Sequence, residues 1–393
     1  MQQLKIINGQ VITPVKIIKG SSVLVNNGVI VKISEHDIDA PNAVVIDAGG
    51  KYVSPGFIDL HVHGGGGHDF MDNTVDAFLE IARTHAKYGT TAMSPTTLSS
   101  SKEDLLETLR IYDVADQKNT NGAQFIGMHL EGPYFALNQC GAQDPRYIRN
   151  PDPGEYKEIL ASTTAIKRWS AAPELAGAIE FGKYIIDKGI LAAIAHTDAI
   201  YEEALEAFEN GYTLATHLYS GMLGVTRRNA YRYAGVVEAA FLIEGMDVEI
   251  IADGIHLPPP LLKLVYKIKG AQRTALITDA MRAAGMPPGD SVLGGLKNGL
   301  KVIVEDGAAK LPDRSAFAGS VATFDLLVRN MIKLAAVPMI EAIEMAALTP
   351  ARIMNIADKK GSIEVGKDAD IVIFDEDINI YKTIVNGNVV YEK

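Results

Sequence analysis

The sequence predicts an α/β protein: a (β/α)8 TIM-like barrel over residues 54–359, with a small β-sandwich domain built from both chain termini, residues 1–53 and 360–393. Three observations lead there. Short apolar strands begin near residues 54, 90, 124, 168, 190, 213, 248 and 273, with amphipathic stretches between them, which is the alternation of parallel βαβ units. Polar residues close several of those strands, and barrels gather their chemistry at strand C-termini. The two chain ends have a different texture, with short β-rich runs separated by Asn-Gly.

From the amino terminus, Leu4-Lys5-Ile6-Ile7 and Gln10-Val11-Ile12 flank Asn8-Gly9. Ser22-Val23-Leu24-Val25 and Val29-Ile30-Val31-Lys32-Ile33 flank Asn26-Asn27-Gly28. Each pair predicts a hairpin, because Asn-Gly accepts the positive φ of a tight turn. Ser54 to Leu60 reads as the first barrel strand. Thr74 to Tyr88, Glu174 to Lys188 and Glu202 to Asn210 carry helical periodicity. After the eighth strand, Asn298-Gly299 and Asp306-Gly307 predict hairpin excursions. Asp370 to Phe374 and Thr383 to Tyr391, the latter broken by Asn386-Gly387, return the chain to the terminal β-domain.

The 393 residues are 47% hydrophobic and 22% charged, enough apolar material for one large domain and a small one. A net charge of −11 argues against nucleic-acid binding, which depends on neutralising phosphates. A local cation cluster still permits an anionic substrate. The single cysteine, Cys140, excludes an intrachain disulfide and fits a reducing compartment. Met1-Gln2-Gln3-Leu4-Lys5 lacks the pattern of a signal peptide, and no apolar run reaches membrane length. The expectation is a soluble cytoplasmic protein without a membrane or nucleic-acid partner.

The most informative stretch is His61-Val62-His63, followed by four glycines and His68. Side chains two apart on a strand share a face, so the two imidazoles point at one place, as a metal-holding pair does. The glycines are expected to leave the strand mouth open and to allow close backbone approach. Glu131 follows Met128-His129-Leu130, His196 follows Leu191 to Ala195, His217 follows Thr213 to Thr216, and Asp279 follows Ala275 to Thr278. Burying so many polar groups is expensive unless they act together. Nitrogen and oxygen donors suit Zn, Fe, Mn or Co, with one or two divalent ions per chain. His61, His63 and Glu131 would form one site, and Glu131, His196 and His217 another. A divalent ion acidifies water. Asp279 is placed to orient or deprotonate that water and then to protonate a leaving group. Hydrolysis of a polarised C–N or C–O bond follows. His129 shares the face of Glu131 as a supporting group. His68 and His85 read as structural, and His36 as a solvated loop residue. Ser220-Gly221-Met222, the arginines Arg227, Arg228 and Arg232, and Asp253-Gly254-Ile255-His256 read as an anion pocket.

These residues resemble the amidohydrolase superfamily, and within it the N-acetylglucosamine-6-phosphate deacetylases. Pro55 to Gly64, His129-Leu130-Glu131-Gly132-Pro133, Ala195-His196-Thr197, Thr216-His217-Leu218, Ala252-Asp253-Gly254-Ile255-His256, Ile277-Thr278-Asp279-Ala280 and Ala318-Gly319-Ser320 carry the resemblance. Thr349-Pro350-Ala351-Arg352 and Gly361 to Asp370 extend it to the carboxyl end. The resemblance implies a homodimer that releases acetate from a phosphorylated amino sugar. It implies that Glu131, His196 and His217 hold a metal, that His61 and His63 hold a second, and that Asp279 is the general base and acid. It further implies substrate contacts from Ala142, Gln143, Ser220, Gly221, Arg228, His256, Phe317, Ala318 and Gly319. Three positions depart from the family pattern. Ser220-Gly221 stands where Asn-Ala is common, the loop around Arg228 lacks the usual Arg-Glu-Pro-Gly, and Gln143 stands where His is frequent. The departures leave the galactosamine epimer as a second substrate reading and a catalytically silent scaffold as a third.

Overall fold

The computed structural model describes residues 3–393; Met1 and Gln2 of the amino-terminal reading lie outside the described residues. Eight strands form the barrel: β1 (Phe57–Val62), β2 (Thr90–Thr97), β3 (Met128–Glu131), β4 (Ile166–Ala171), β5 (Leu191–Ile194), β6 (Leu214–Ala215), β7 (Asp247–Ile250) and β8 (Thr274–Leu276). Each pairs in parallel with the next. The strands are short and almost wholly buried, as strands covered on both faces must be.

Hydrogen bonds from the segment after β8 close the ring. Asp279 N donates to His61 O at 2.8 Å, and His63 N donates to Ala280 O at 2.9 Å. The Asp59 carboxylate reinforces this seam. It accepts Thr278 Oγ1 at 2.5 Å, Thr278 N at 3.2 Å and His61 N at 3.3 Å. The expected helices appear as Val75–Ala86, Ala178–Ile186 and Tyr201–Glu209. Thr74 caps the first, its hydroxyl accepting Ala77 N.

Low in the barrel, Ile58, Leu60, Ala193, Leu214, Ala275 and Ile277 pack as an apolar plug with Ala351 and Ile353. Above them lies a polar layer. Arg168 of β4, fully buried, forks onto both oxygens of Glu249 on β7. It also donates to Thr216 Oγ1 at 2.8 Å and to Leu60 O at 3.1 Å. One guanidinium therefore ties four strands or strand ends together beneath the site.

The terminal β-unit is one eight-stranded mixed sheet. In order it contains Asn388–Glu392, Ile380–Val385, Ile371–Phe374, Tyr52–Pro55, Gln3–Ile12, Ile17–Asn26 and Val29–Ser34, with Val44–Asp47 also paired to Gln3–Ile12. Leu4, Ile6, Val23, Val53, Ile371 and Ile384 share its core. Buried Lys360 pairs with Asp370 at 2.6 Å and fixes the return of the chain to this sheet.

The turns at Asn27-Gly28 and Asn386-Gly387 join adjacent antiparallel strands as expected. Asn8-Gly9 does not make a hairpin. Gln3–Ile12 runs straight through it, with Asn8 at φ 56° in a bulge. The strand is paired on both sides, and a side chain at position 9 would collide with Val53, so the glycine serves packing. The hairpin turn falls later, where Thr13 Oγ1 donates to Lys16 O at 2.7 Å. After β8, Gly289–Leu293, Leu300–Glu305 and Ala308–Lys310 form the expected antiparallel excursion.

Breaking the buried ion pair should be severe. Arg168→Met leaves Glu249 charged and unpaired, so urea unfolding should show a loss of about 3–5 kcal/mol. Adding Glu249→Leu should restore much of it, because the stranded charge is gone. A single-variant loss below about 1 kcal/mol would contradict the buried pairing.

Candidate active site

The six sequence-predicted groups converge at the C-terminal mouth of the barrel. His61, His63, Glu131, His196, His217 and Asp279 are all buried. Glu131 is their centre. Its Oε1 lies 3.0 Å from His217 Nε2, 3.2 Å from His196 Nε2 and 3.5 Å from His61 Nε2. Its Oε2 lies 3.3 Å from His63 Nε2 and accepts Gln143 Nε2 at 2.6 Å. Asp279 Oδ1 stands 3.4 Å from His61 Nε2 and 3.2 Å from His63 Nε2.

These spacings fit a metal ion. Four ligands at about 2.1 Å in a tetrahedron sit about 3.4 Å from one another, close to the separations of 3.0 to 3.5 Å found here. The grouping differs from the sequence expectation in both sets. His61, His63 and Asp279 form one mutually adjacent set and His61, Glu131 and His217 another, so His61 belongs to both. His196 joins through Glu131 and through its ring, edge-on to that of His217 at 4.9 Å.

The electrostatics point the same way. Burial opposes ionisation of Glu131, yet His61, His196 and His217 hold its carboxyl well below the usual carboxylate range. Burial likewise opposes charge on Asp279, and His61 and His63 bring it down. Among the described residues, no Lys or Arg lines the cavity above them. Positive charge must then come from a proton on a ligand or from a cation. His63, against the pull of burial, is pushed up to about 10 by Asp279 and Glu131. A divalent ion would take the place of that proton.

Backbone geometry sets the ligands. His196, His217 and Asp279 take φ of 46°, 32° and 48°, in the left-handed region. Each such residue costs about 1–3 kcal/mol and persists only when its surroundings over-determine it. His196 Nδ1 is held by Gln139 O at 2.7 Å. Gly221 makes room for that arrangement, since a Cβ there would lie 2.7 Å from His196 Nδ1. His63 Nδ1 faces Thr96 O at 3.3 Å.

His129 points into the barrel, its Nε2 2.7 Å from Ser170 Oγ and its ring edge-on to His61 at 4.7 Å. Burial and the nearby Arg168 keep it well below the usual imidazole range, so it supports the site as a neutral group. The glycine run does not leave the strand mouth open. Gly65 and Gly66 press on the helix Val75–Ala86, where side chains would strike His85 and Thr84. His85 is structural as expected, its Nε2 bonded to Gly64 O at 2.9 Å.

A cavity of about 260 Å³ rises from the ligands. Of the residues expected to contact substrate, Ala142, Gln143, Ser220, Gly221, His256, Phe317 and Gly319 line it. Two expected contacts do not. Ala318 is fully buried in an apolar cluster and its N–H is taken by Ala309 O. Arg228 is exposed on the hairpin Thr226–Arg228/Tyr231–Tyr233, over the Tyr233 ring. His256 is fixed by Asp253, whose Oδ2 lies 2.6 Å from Nδ1. Sequence reasoning missed Asp59, although Asp59, His61 and His63 share the period-two face that revealed the pair. It also missed Arg168, Leu98 and Leu293, which carry no chemical signature.

Glu131→Gln removes the charge shared by every ligand. Metal analysis of the purified variant should show at least half of the bound divalent metal lost. Full metal content would contradict the central place of this carboxylate.

Comparison with known proteins agrees with the geometry. Residues 52–390 match the Amidohydrolase family. The chain is 33% identical over 368 residues to an N-acetylglucosamine-6-phosphate deacetylase of Lysinibacillus sphaericus, covering 93% of this chain and 92% of the relative. It is 32% identical to an N-acetylgalactosamine-6-phosphate deacetylase of Escherichia coli O157:H7, covering 87% and 89%. A variant N-acetyl-D-glucosamine-6-phosphate deacetylase from Mycobacterium smegmatis, solved with N-acetyl-D-glucosamine-6-phosphate, superposes with a TM-score of 0.90 at 28% identity, covering 99% of this chain and 100% of that one. A family match over most of the sequence, and one-third identity along nearly the full length of a relative, make this chain a member of the amidohydrolase family.

Proposed function

We propose that this protein hydrolyses the N-acetyl group of N-acetylglucosamine 6-phosphate, giving glucosamine 6-phosphate and acetate in amino-sugar catabolism in the cytoplasm. The observation that carries the reading is the placement of Asp279. Its carboxylate meets both histidines of the pair at the floor of a cavity whose wall holds His256. Similarity to deacetylases of phosphorylated amino sugars supports the substrate class.

His61, His63, Glu131, His196 and His217 would hold one or two divalent ions, Zn or Fe ahead of Mn or Co. Such an ion polarises the acetyl carbonyl and acidifies water. The chain supplies the rest. Asp279 takes the proton of the attacking water, and the water oxygen bonds to the acetyl carbon. The C–N bond then breaks as Asp279 delivers the proton to nitrogen. Gln143 steadies the carboxylate of Glu131, with its own Oε1 accepting Ser99 N at 2.7 Å. His256 has Nδ1 tied to Asp253, which leaves Nε2 to meet the phosphate.

Among the described residues, the cavity offers the phosphate no Lys or Arg beside His256. The hairpin carrying Arg227, Arg228 and Arg232 stands exposed beside Val225 and Tyr231. This supports a homodimer in which Arg228 of one copy reaches the phosphate of the other. The galactosamine epimer is the second reading, favoured by the Escherichia coli relative and by the Ser220-Gly221 departure.

Acetate release from the two epimers, compared by kcat/KM, tests the assignment; the glucosamine epimer should be preferred. No release from either would leave the scaffold reading standing. Asp279→Asn keeps the shape but cannot carry the proton, so kcat should fall about 10²–10⁴-fold with metal content nearly unchanged. Activity within a few-fold of the parent would remove Asp279 from the mechanism.

A further inference from the structure

Beside the catalytic cavity lies a second, of about 510 Å³ against 260 Å³. The two have three wall residues in common: Leu98, Ala142 and Leu293. These side chains belong to one apolar cluster, so the partition is a packed hydrophobic contact.

The partition stands at the ligand end of the catalytic cavity. Ser99, next to Leu98, donates its N–H to Gln143 at 2.7 Å, and Gln143 donates to Glu131 at 2.6 Å. Ala142 adjoins Gln143 directly. Of the cavity's other apolar and aromatic side chains, Ala316, Phe317 and Tyr219, Phe317 lies by His256, the two rings 4.4 Å apart. The cavity therefore has one apolar patch beside Glu131 and another beside His256.

This inference rests on the reading proposed above, in which the acyl carbonyl meets the ligand cluster and the phosphate turns toward His256. The alkyl end of the acyl group then meets Leu98, Ala142 and Leu293. We propose that this wall sets the acyl-chain length and that the second cavity is an acyl-extension subsite, which takes neutral alkyl chains longer than acetyl once the wall is opened. The chemistry is unchanged. Water adds its oxygen to the acyl carbon, the C–N bond breaks, and the amine leaves with a proton, releasing a longer carboxylic acid. Met71, Leu296 and Leu300 give the second cavity apolar surface. Its wall holds Asp72, Asp104, Glu107 and Asp144, of which Asp72, Glu107 and Asp144 pair with Arg282, Arg110 and Arg146, and among the described residues one lysine, Lys297, so it offers no surplus of positive charge to a chain that ends in a carboxylate.

The test compares kcat/KM for N-acetyl-, N-butyryl- and N-hexanoyl-glucosamine 6-phosphate on the metal-loaded full chain. One methylene in an apolar pocket discriminates by about tenfold or more. Leu98→Ala should therefore raise the butyryl-to-acetyl ratio at least roughly tenfold over the parent. Adding Asn298→Trp, at an exposed position lining only the second cavity, should take back the gain for hexanoyl. If Leu98→Ala does not fold, Leu98→Val trims one carbon, keeps the cluster packed, and should favour N-propionyl over N-acetyl by severalfold relative to the parent. An unchanged ratio, or a gain that Asn298→Trp leaves intact, would overturn the subsite. Failure of the parent to release acetate would instead overturn the reading beneath it.

Discussion

The carboxylate of Glu131 is the constraint on which the site depends. It is buried, it remains charged, and four imidazoles and an amide are arranged around its two oxygens. A lone carboxylate in that position would cost several kcal/mol, and Asp279 nearby adds a second negative charge. Among the described residues, the cavity supplies neither Lys nor Arg. The arrangement is stable only with positive charge at its centre, and the donor set is the one that divalent transition metals prefer. Cation demand, ligand spacing and catalytic geometry thus have one origin.

The barrel makes that convergence rigid. Each ligand sits at or just past a strand end, and the strands are cross-tied below it. Asp59 clamps the seam between β1 and β8, directly under His61 and Asp279. Arg168 and Glu249 bind β4 to β7 and reach Thr216, the neighbour of His217. Burial pushes Asp59 up to about 7, against the bonds from Thr278 and His61. These ties hold Thr216 and Thr278, the residues before His217 and Asp279, and Gln139 O holds the ring of His196, so the strained φ of all three is tolerable. Sites on such a scaffold hold the sub-ångström precision that hydrolysis requires, while the substrate contacts lie on loops that vary more freely.

The sequence made the chemistry legible and the support largely illegible. His61 and His63 stood out because strand periodicity puts them on one face, and the remaining ligands because each closes an apolar run. The regular alternation of strand and helix gave the barrel for the same reason. Asp59 obeyed the same period but was absorbed into the apolar strand around it. Arg168 sits in Lys167-Arg168-Trp169, where nothing local separates a buried arginine from a solvated one; only the facing Glu249 decides it. Asn8-Gly9 misled because a turn signal and a packing glycine look alike until Val53 is in place. Ala318 and Arg228 differ from the expected contacts for a related reason. Neighbouring elements, and for Arg228 the proposed second copy, decide which side chains reach a cavity.

The most direct test is a crystal of the metal-loaded protein soaked with N-acetylglucosamine 6-phosphate, with anomalous data collected at the edges of the candidate metals. The expected result is an anomalous peak within bonding distance of Glu131 Oε1 and His217 Nε2, the acetyl carbonyl directed at it, and Asp279 within hydrogen-bonding reach of the amide nitrogen. An active crystal with no anomalous peak at Glu131, or with the acetyl group turned away from Asp279, would contradict the central place of Glu131 and the role of Asp279.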